Sequence, residues 1–226
     1  MKSLKNWFLV LSVLSCFGCS SPVHEDGRGC AFVSDSIQYR VEFMSEGCVR
    51  ILSFPEGDTL VTKRLVVDSQ KPAFKDYKWK DTGQQLIFST RELSVAFDKE
   101  DAAFTFQEVS TGKLLLKEKE AKKARHFKRS VTGGEQCLEV TQRFVPTDDE
   151  AIYGLGQYQN GIMNYRGKSV LLLQANMDIV NPFLISTNGY GILWDNYSST
   201  KFEDTKEGYS FTSEVGDASD YYFVYG

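Results

Sequence analysis

Short runs in which apolar and polar residues alternate constrain this chain more than any other feature. Residues 36–43 alternate throughout, which is the period of a β-strand with one buried face. Turn-forming sequences such as Pro55-Glu56-Gly57-Asp58 separate several of the runs. The other strand-like runs lie at 48–54, 86–89, 93–97, 104–109, 137–144, 170–173, 183–186, 190–194, 209–213 and 221–225.

This pattern predicts an all-β fold, an antiparallel β-sandwich of about a dozen strands. No long helical stripe alternates with the runs, which argues against a parallel α/β sheet. The length of 226 residues allows one large domain or two small ones. A hydrophobic fraction of 42% is typical of a globular chain and excludes a disordered one.

Charge and histidine content exclude several functions. The chain carries 30 acidic and 26 basic residues, a formal charge of −4, whereas a general nucleic-acid binder is usually basic. Its two histidines, His24 and His126, are too few for a histidine-based metal cluster, and only His126 could serve a catalytic triad. We expect no metal, no cofactor and no nucleic-acid partner.

The first residues have the features of an export signal. Lys2 and Lys5 precede an apolar run at 7–14 that is too short to span a bilayer. The run leads to Gly18-Cys19-Ser20, which resembles the lipobox of bacterial lipoproteins, and Ser15-Cys16 is an alternative. A plain signal peptide with incidental cysteines is the other interpretation.

The predicted organisation is therefore a lipoprotein signal peptide at 1–19, a polar tether at 20–29 and a β-sandwich domain at 30–226. Cys19 would be lipidated, with Cys16 as the alternative. The protein would be exported and anchored in the outer membrane by its lipid, facing the periplasm or the cell surface.

Three cysteines follow the predicted signal. An exported protein can keep a disulfide, and Cys30 and Cys48 are the nearest pair in sequence. The alternation around Cys137 predicts that this residue is a buried small hydrophobe.

A basic segment interrupts the alternating runs. Residues 113–129 hold eight Lys or Arg and two Glu. The segment could bind an anionic ligand or a membrane surface, or it could be a solvated loop or edge strand in which lysines prevent edge-to-edge pairing. We favour the second interpretation.

The segment from 151 to 197 combines glycines, amides and aromatic residues. Gly154 and Gly156 lack the third glycine of a nucleotide-binding loop, so they more plausibly let the backbone bend or approach a neighbour. Amides and carboxylates between aromatic strands are also the chemistry of a carbohydrate site. Alternatively, the aromatics form the core and the amides cap turns.

Taken together, this series resembles the N-terminal β-sandwich domain of glycoside hydrolase family 31, which includes α-glucosidases and α-xylosidases. The order and spacing of four elements carry the resemblance: Tyr-Gly-Leu-Gly-Gln at 153–157, Asn-Pro-Phe at 181–183, the run 186–193 around Gly189-Tyr190-Gly191, and 220–226. The resemblance implies a galactose mutarotase-like sandwich.

The family is composed of retaining α-glycosidases in which two aspartates lie about 5–5.5 Å apart. Both are in the barrel that follows this domain, so the resemblance implies no catalytic residue in this chain. The carboxylates of its matched region correspond to none of the family's catalytic positions; they are Asp178, Asp195, Asp217 and Asp220.

In the family, a loop of the sandwich lines the sugar pocket. The matching loop here is 174–178, so the resemblance implies Asn176 first, then Gln174 and Asp178, as partners of substrate hydroxyls. The residues expected to pack rather than bind are Tyr153, Tyr190 and Trp194.

The expected function is that of the N-terminal domain of an α-xylosidase or α-glucosidase, inactive alone, with an α-linked oligosaccharide and a catalytic barrel as partners. The aromatic strand at 221–225 closes the chain, which suggests a fragment. This hypothesis predicts exposed apolar side chains where the barrel packs. The alternative is a stand-alone surface lipoprotein that binds glycans or another protein, which predicts a concave aromatic platform.

Overall fold

A computed structural model describes residues 22–60, 73–120 and 126–226. These residues form 18 strands and no helix. In chain order the strands are β1 (His24–Glu25), β2 (Cys30–Ser34), β3 (Ile37–Ser45), β4 (Cys48–Pro55), β5 (Lys78–Asp81), β6 (Gln85–Ser89), β7 (Leu93–Asp98), β8 (Ala103–Glu108), β9 (Leu114–Glu118), β10 (His126–Thr132), β11 (Glu135–Val145), β12 (Ile152–Gln157), β13 (Ser169–Leu172), β14 (Ile179–Ser186), β15 (Tyr190–Trp194), β16 (Thr200–Thr205), β17 (Gly208–Gly216) and β18 (Ser219–Tyr225).

The strands form two antiparallel sheets. Sheet A has the order β1-β2-β3-β4-β18-β15-β14-β12. Sheet B has the order β13-β16-β17-β11-β9-β8-β7-β6-β5, with β10 paired to β11 outside this path. The predicted all-β antiparallel sandwich is therefore confirmed.

Aromatic side chains join the two sheets. Phe106 of sheet B stacks on Phe223 of sheet A with ring centroids 4.2 Å apart, and Trp194 stacks on Phe211 across the same interior at 5.5 Å. All four rings are fully buried. Stacked pairs of this kind add to the free energy of area burial, which explains the use of aromatic residues along the strands.

Every strand predicted from alternation is present, but weaker patterns concealed others. The strand Leu114–Glu118 lies inside the basic segment, where flanking lysines obscure the buried Leu115 and Leu116. It runs between β8 and β11, so the interpretation of this part as a solvated loop or edge strand is wrong. Strand β12 was also not predicted, because its glycines interrupt the alternation of apolar and polar residues.

The sandwich begins before the predicted boundary at residue 30. Strand β1 pairs with β2 through His24↔Ala31 and Glu25↔Cys30. In the turn between them, Asp26 accepts a hydrogen bond from Arg28 N at 2.8 Å. The segment from His24 onward is therefore part of sheet A rather than tether. The predicted signal, with Cys16 and Cys19, lies outside the described residues, among which no helix is long and apolar enough to cross a membrane.

Cys30 and Cys48 are free thiols. Cys30 lies opposite Val41, which lies opposite Ile51, three residues from Cys48. Two strand spacings and three residues separate the cysteines by roughly 14 Å, whereas a disulfide needs Cα atoms about 4.4–6.8 Å apart. The sheet register therefore keeps this nearest pair apart.

Cys137 is only partly buried, so the prediction of a buried small hydrophobe is wrong. The interior positions of β11 are Leu138 and Val140, which places Cys137 on the opposite face. There its Sγ lies 3.1 Å from the Oγ of Ser130 on β10.

Candidate sugar-facing loop and adjacent cleft

The loop that connects β13 to β14 closes on itself. Ala175 and Asp178 form an isolated antiparallel bridge, and Asp178 N donates to Ala175 O at 3.3 Å. Met177 has a φ of 71°, in the left-handed region. The sequence-predicted residues Gln174, Asn176 and Asp178 therefore lie together in one tight turn at the edge of the sandwich.

Gln174 braces this loop. Its Nε2 donates to Asp178 O at 2.8 Å, and its Oε1 accepts from Val180 N at 3.1 Å. Both ends of the amide are thus engaged by backbone groups of the same loop. In the structure this side chain positions the turn, and its contact with a ligand stays a prediction.

Asn176 lies at the tip of the loop and is exposed. Within the described parts of the chain, no hydrogen bond involves its side chain. Asp178 is partly exposed, and its backbone carbonyl and N–H are both used within the loop. Of the three predicted residues, Asn176 presents a side-chain amide most openly.

A glycine bulge in β12 supports the base of the loop. Gly154 and Gly156 have φ values of 99° and 120°, and the register with β14 shifts between them. A Cβ on Gly154 would lie 2.5 Å from Phe183 O, and one on Gly156 would lie 2.1 Å from Ile179 O. These glycines permit close approach of two backbones, as predicted.

A cleft of about 410 Å³ lies beside the loop. Gln174 and Asn181 line one side, and the segment 194–200 lines the other. Asp195, immediately after β15, is 5% exposed, and neither of its carboxylate oxygens has a hydrogen-bond partner in the part of the chain that the structure describes. The sequence analysis gave this residue no role, because nothing in the Trp194-Asp195-Asn196 run shows that the carboxylate is buried.

Asn196 holds the far wall of the cleft. Its Nδ2 donates to Val215 O at 3.0 Å, and its Oδ1 accepts from Ser198 N at 2.8 Å. The segment after β15 is therefore tied to β17, and this amide is already engaged.

The aromatic residues near the site pack as predicted. Trp194 is fully buried, and its Nε1 donates to Ser213 Oγ at 2.9 Å. Tyr190 is also buried, and its hydroxyl donates to Glu150 Oε1 at 2.8 Å. Burial raises the pKa of the Glu150 carboxyl. Tyr153 is only partly buried.

The described residues contain no group of three or more His, Cys, Asp or Glu side chains that could hold a metal ion. The features on which a function can rest are therefore the braced loop, its exposed amide and the cleft beside it.

The two sheets and their connections define a galactose mutarotase-like sandwich. Residues 38–203 match the family model described as "Glycosyl hydrolase 31 N-terminal galactose mutarotase-like domain", which covers more than half of the chain. The chain belongs to this family, as the N-terminal domain of a family 31 glycoside hydrolase.

Relatives and solved structures are also similar to this chain. An α-xylosidase of Saccharolobus solfataricus is 32% identical over 206 residues, which are 84% of this chain and 26% of the relative. A crystal structure of a family 31 α-xylosidase from Xanthomonas citri is 30% identical with a TM-score of 0.68, over 81% of this chain and 20% of that one. An α-xylosidase from a soil metagenome, solved with xylose, has a TM-score of 0.72 at 22% identity, over 91% of this chain and 32% of that one.

The chain thus spans about a quarter of the length of the Saccharolobus enzyme, at 26%. The remainder of that enzyme has no counterpart among the residues of this chain.

Proposed function

We propose that this domain supports the catalytic barrel of a family 31 α-glycosidase and lines its substrate pocket. The chain is inactive alone, and α-xylosides are the substrates we expect for the assembled enzyme. The α-xylosidases at 32% and 30% identity support that choice of sugar.

The observation that carries the proposal is that two side chains of the loop 174–178 have different roles. The Gln174 amide donates one hydrogen bond and accepts another, which fixes the turn, and the fixed turn presents Asn176 outward. An amide both donates and accepts hydrogen bonds, so it matches sugar hydroxyls, which do the same. A rigid loop loses little conformational entropy when it binds.

The surface around the loop also fits a second domain. Large apolar side chains are exposed on β13, on the loop, on β14 and beyond β15, as expected for a face that meets a barrel. They are Leu171, Leu173, Met177, Ile179, Ile185 and Tyr197.

Activity assays test the proposal. The chain from residue 20 onward is assayed with nitrophenyl α-xyloside and α-glucoside, alone and with a separately expressed family 31 barrel. We expect no turnover alone and turnover with the barrel. Hydrolysis by the chain alone would contradict the proposal, and tight sugar binding without rescue by the barrel would favour a stand-alone binding protein.

Asn176→Ala tests the loop directly. Loss of one neutral hydrogen bond should lower kcat/KM of the assembled enzyme by about threefold to tenfold. Asn160→Ala is the matched control, because Asn160 is an exposed asparagine in a different loop. Equal effects of both variants would exclude a specific role for Asn176.

We further propose that the protein is exported and anchored in the outer membrane through Cys19, on the strength of the lipobox-like run after the apolar segment 7–14. Labelled palmitate should enter the wild type and Cys16→Ala but not Cys19→Ala, and fractionation should place the labelled protein in the membrane. Label in Cys19→Ala but not in Cys16→Ala would assign the lipid to Cys16.

A further inference from the structure

Asp195 is a buried carboxylate that has no hydrogen-bond partner among the described residues. It is 5% exposed, and both of its oxygens lack a hydrogen-bond partner, whereas its backbone N–H donates to Asp220 O at 2.9 Å. An ionised carboxylate removed from water is costly unless it is paired. Buried carboxylates of folded proteins are normally satisfied, so this exception calls for an explanation.

The neighbouring charges are already engaged. Arg50 donates through Nε to Asp220 Oδ1 at 2.7 Å and through Nη1 to Glu42 Oε2 at 3.0 Å. Its guanidinium therefore binds the carboxylates of Asp220 and Glu42 and neither oxygen of Asp195.

The surroundings of Asp195 favour an organic cation over a metal ion. The described residues hold no group of three or more acid, His or Cys side chains fit for a metal. The cleft beside Asp195 has room for a long side chain at about 410 Å³, and Leu173 and Tyr197 on its rim are 48% and 54% exposed. Apolar rims around a charged group suit the stem and head of an arginine or lysine.

The geometry points to this cleft as the seat of an arginine or lysine side chain that the catalytic barrel presents to the domain. The inference rests on the proposed function. The charge of Asp195 is complementary to that side chain, and the family 31 α-xylosidase of Saccharolobus has the additional length to supply it, since this chain covers 26% of it. The segment 195–199 is not a strand, and no hydrogen bond among the described residues holds the carboxylate, so a donor at this site would not displace an existing partner.

Docking in this form would explain why the domain retains an unpaired charge. The isolated domain is less stable with Asp195 than with a neutral residue, and the barrel relieves that cost by supplying a charge-assisted hydrogen bond. Binding at the cleft would also fix the orientation of the adjacent loop, because Gln174 belongs both to the loop and to the wall of the cleft.

A titration followed by amide NMR tests the seat on the chain from residue 20 onward. The probe is Nα-acetyl-arginine amide, and the neutral isostere Nα-acetyl-citrulline amide is its control. We expect the arginine probe alone to shift the amides of 195–200 saturably. In Asp195→Asn the midpoint should rise at least about tenfold, whereas Asp149→Asn, at an exposed carboxylate, should leave it unchanged.

Two results would overturn the inference: no shift of these amides, or the same midpoint in Asp195→Asn. Shifts with methyl α-xyloside instead would make the cleft a sugar site. Rescue by the barrel separates this inference from the proposed function. Equal activity of the wild type and Asp195→Asn at every barrel concentration would refute the docking seat and leave the proposed function standing. If no barrel restores activity, the proposed function fails, and the titration still tests the docking seat.

Discussion

Arg50 and Asp220 form a buried two-pronged ion pair that ties β4 to β18. Arg50 Nε donates to Asp220 Oδ1 at 2.7 Å, and Nη2 donates to Oδ2. The side chains are 3% and 1% exposed. Burial by itself lowers the pKa of Arg50, but the hydrogen bonds and charge of Asp220 raise it above its ordinary value.

Removal of one partner should leave an unpaired buried charge. We expect Asp220→Asn to lower the free energy of unfolding by about 3–5 kcal/mol, measured by urea titration. The triple variant Arg50→Met, Asp220→Leu and Glu42→Gln should recover most of that loss, because Arg50 also pairs with the buried Glu42 and all three charges are then removed together. A single variant as stable as wild type would mean that the pair does not hold these strands together.

The glycine bulge should tolerate no side chain. Gly156→Ala places a Cβ 2.1 Å from Ile179 O at a φ of 120°, so the backbone must move. We expect a loss of about 1–3 kcal/mol in the free energy of unfolding. Gly27→Ala, where a Cβ meets nothing within 4 Å, is the control and should change stability little.

Gln174→Ala should loosen the loop without unfolding the domain. The substitution removes the bonds to Asp178 O and Val180 N, each worth about 0.5–1.5 kcal/mol. Hydrogen exchange at the Val180 amide should accelerate, while amides of the central strands keep their protection. Asn176→Ala should not change that exchange, and acceleration in both variants would contradict the bracing role.

Glu150 should make stability fall as pH rises. Burial raises the pKa of its carboxyl above the ordinary 4.5, so the folded state binds its proton more tightly than the unfolded state does. The contribution of this proton to the free energy of unfolding is complete below the ordinary pKa of 4.5 and is lost as pH rises through the raised pKa of the folded state. Glu150→Gln keeps an acceptor for Tyr190 and removes the titration. The variant should therefore gain melting temperature relative to wild type from pH 4 to pH 7, and a constant difference would refute this.

The three thiols should react at different rates. Hydrogen bonds with Ser130 and Thr132 lower the pKa of Cys137, whereas burial raises that of Cys30 and raises that of Cys48 to about 11. The thiolate is the reactive form. Ellman's reagent should therefore modify one thiol of the native protein quickly, and Cys137→Ser should abolish that phase. Reductant should not shift the melting temperature, because Cys30 and Cys48 are unpaired.

Alternation was enough to predict the central strands and the sandwich, because burial of one face repeats at every second residue. It did not reveal β9, where lysines flank the short buried pair Leu115-Leu116. Contacts between residues far apart in the chain also could not be predicted from local patterns. Asp220 matches no catalytic position of the family, and its role in the structure depends on Arg50, 170 positions earlier in the chain.

The local geometry of the candidate loop could be predicted only in part, and its contact with a sugar stays a prediction. Residues 174–178 do form one turn, but only the structure shows that Gln174 faces its own backbone and Asn176 faces outward. The burial of Asp195 depends on how β15 ends beside β18, which is a property of the sheet rather than of the Trp-Asp-Asn sequence.

The glycine bulge of β12 has a consequence for handling the domain by itself. β12 is the outer strand of sheet A, and a bulged, strongly twisted edge is a poor template for another chain. The outer strand β5 of sheet B carries Lys78 and Lys80, both exposed, which repel a second copy. Of the remaining edges among the described residues, β1 and β13 are only two and four residues long, and β10, which pairs with β11 alone, carries the exposed Lys128 and Arg129. Concentrated solutions of the separated domain should therefore resist fibril growth through strand addition, even with its apolar loop region uncovered.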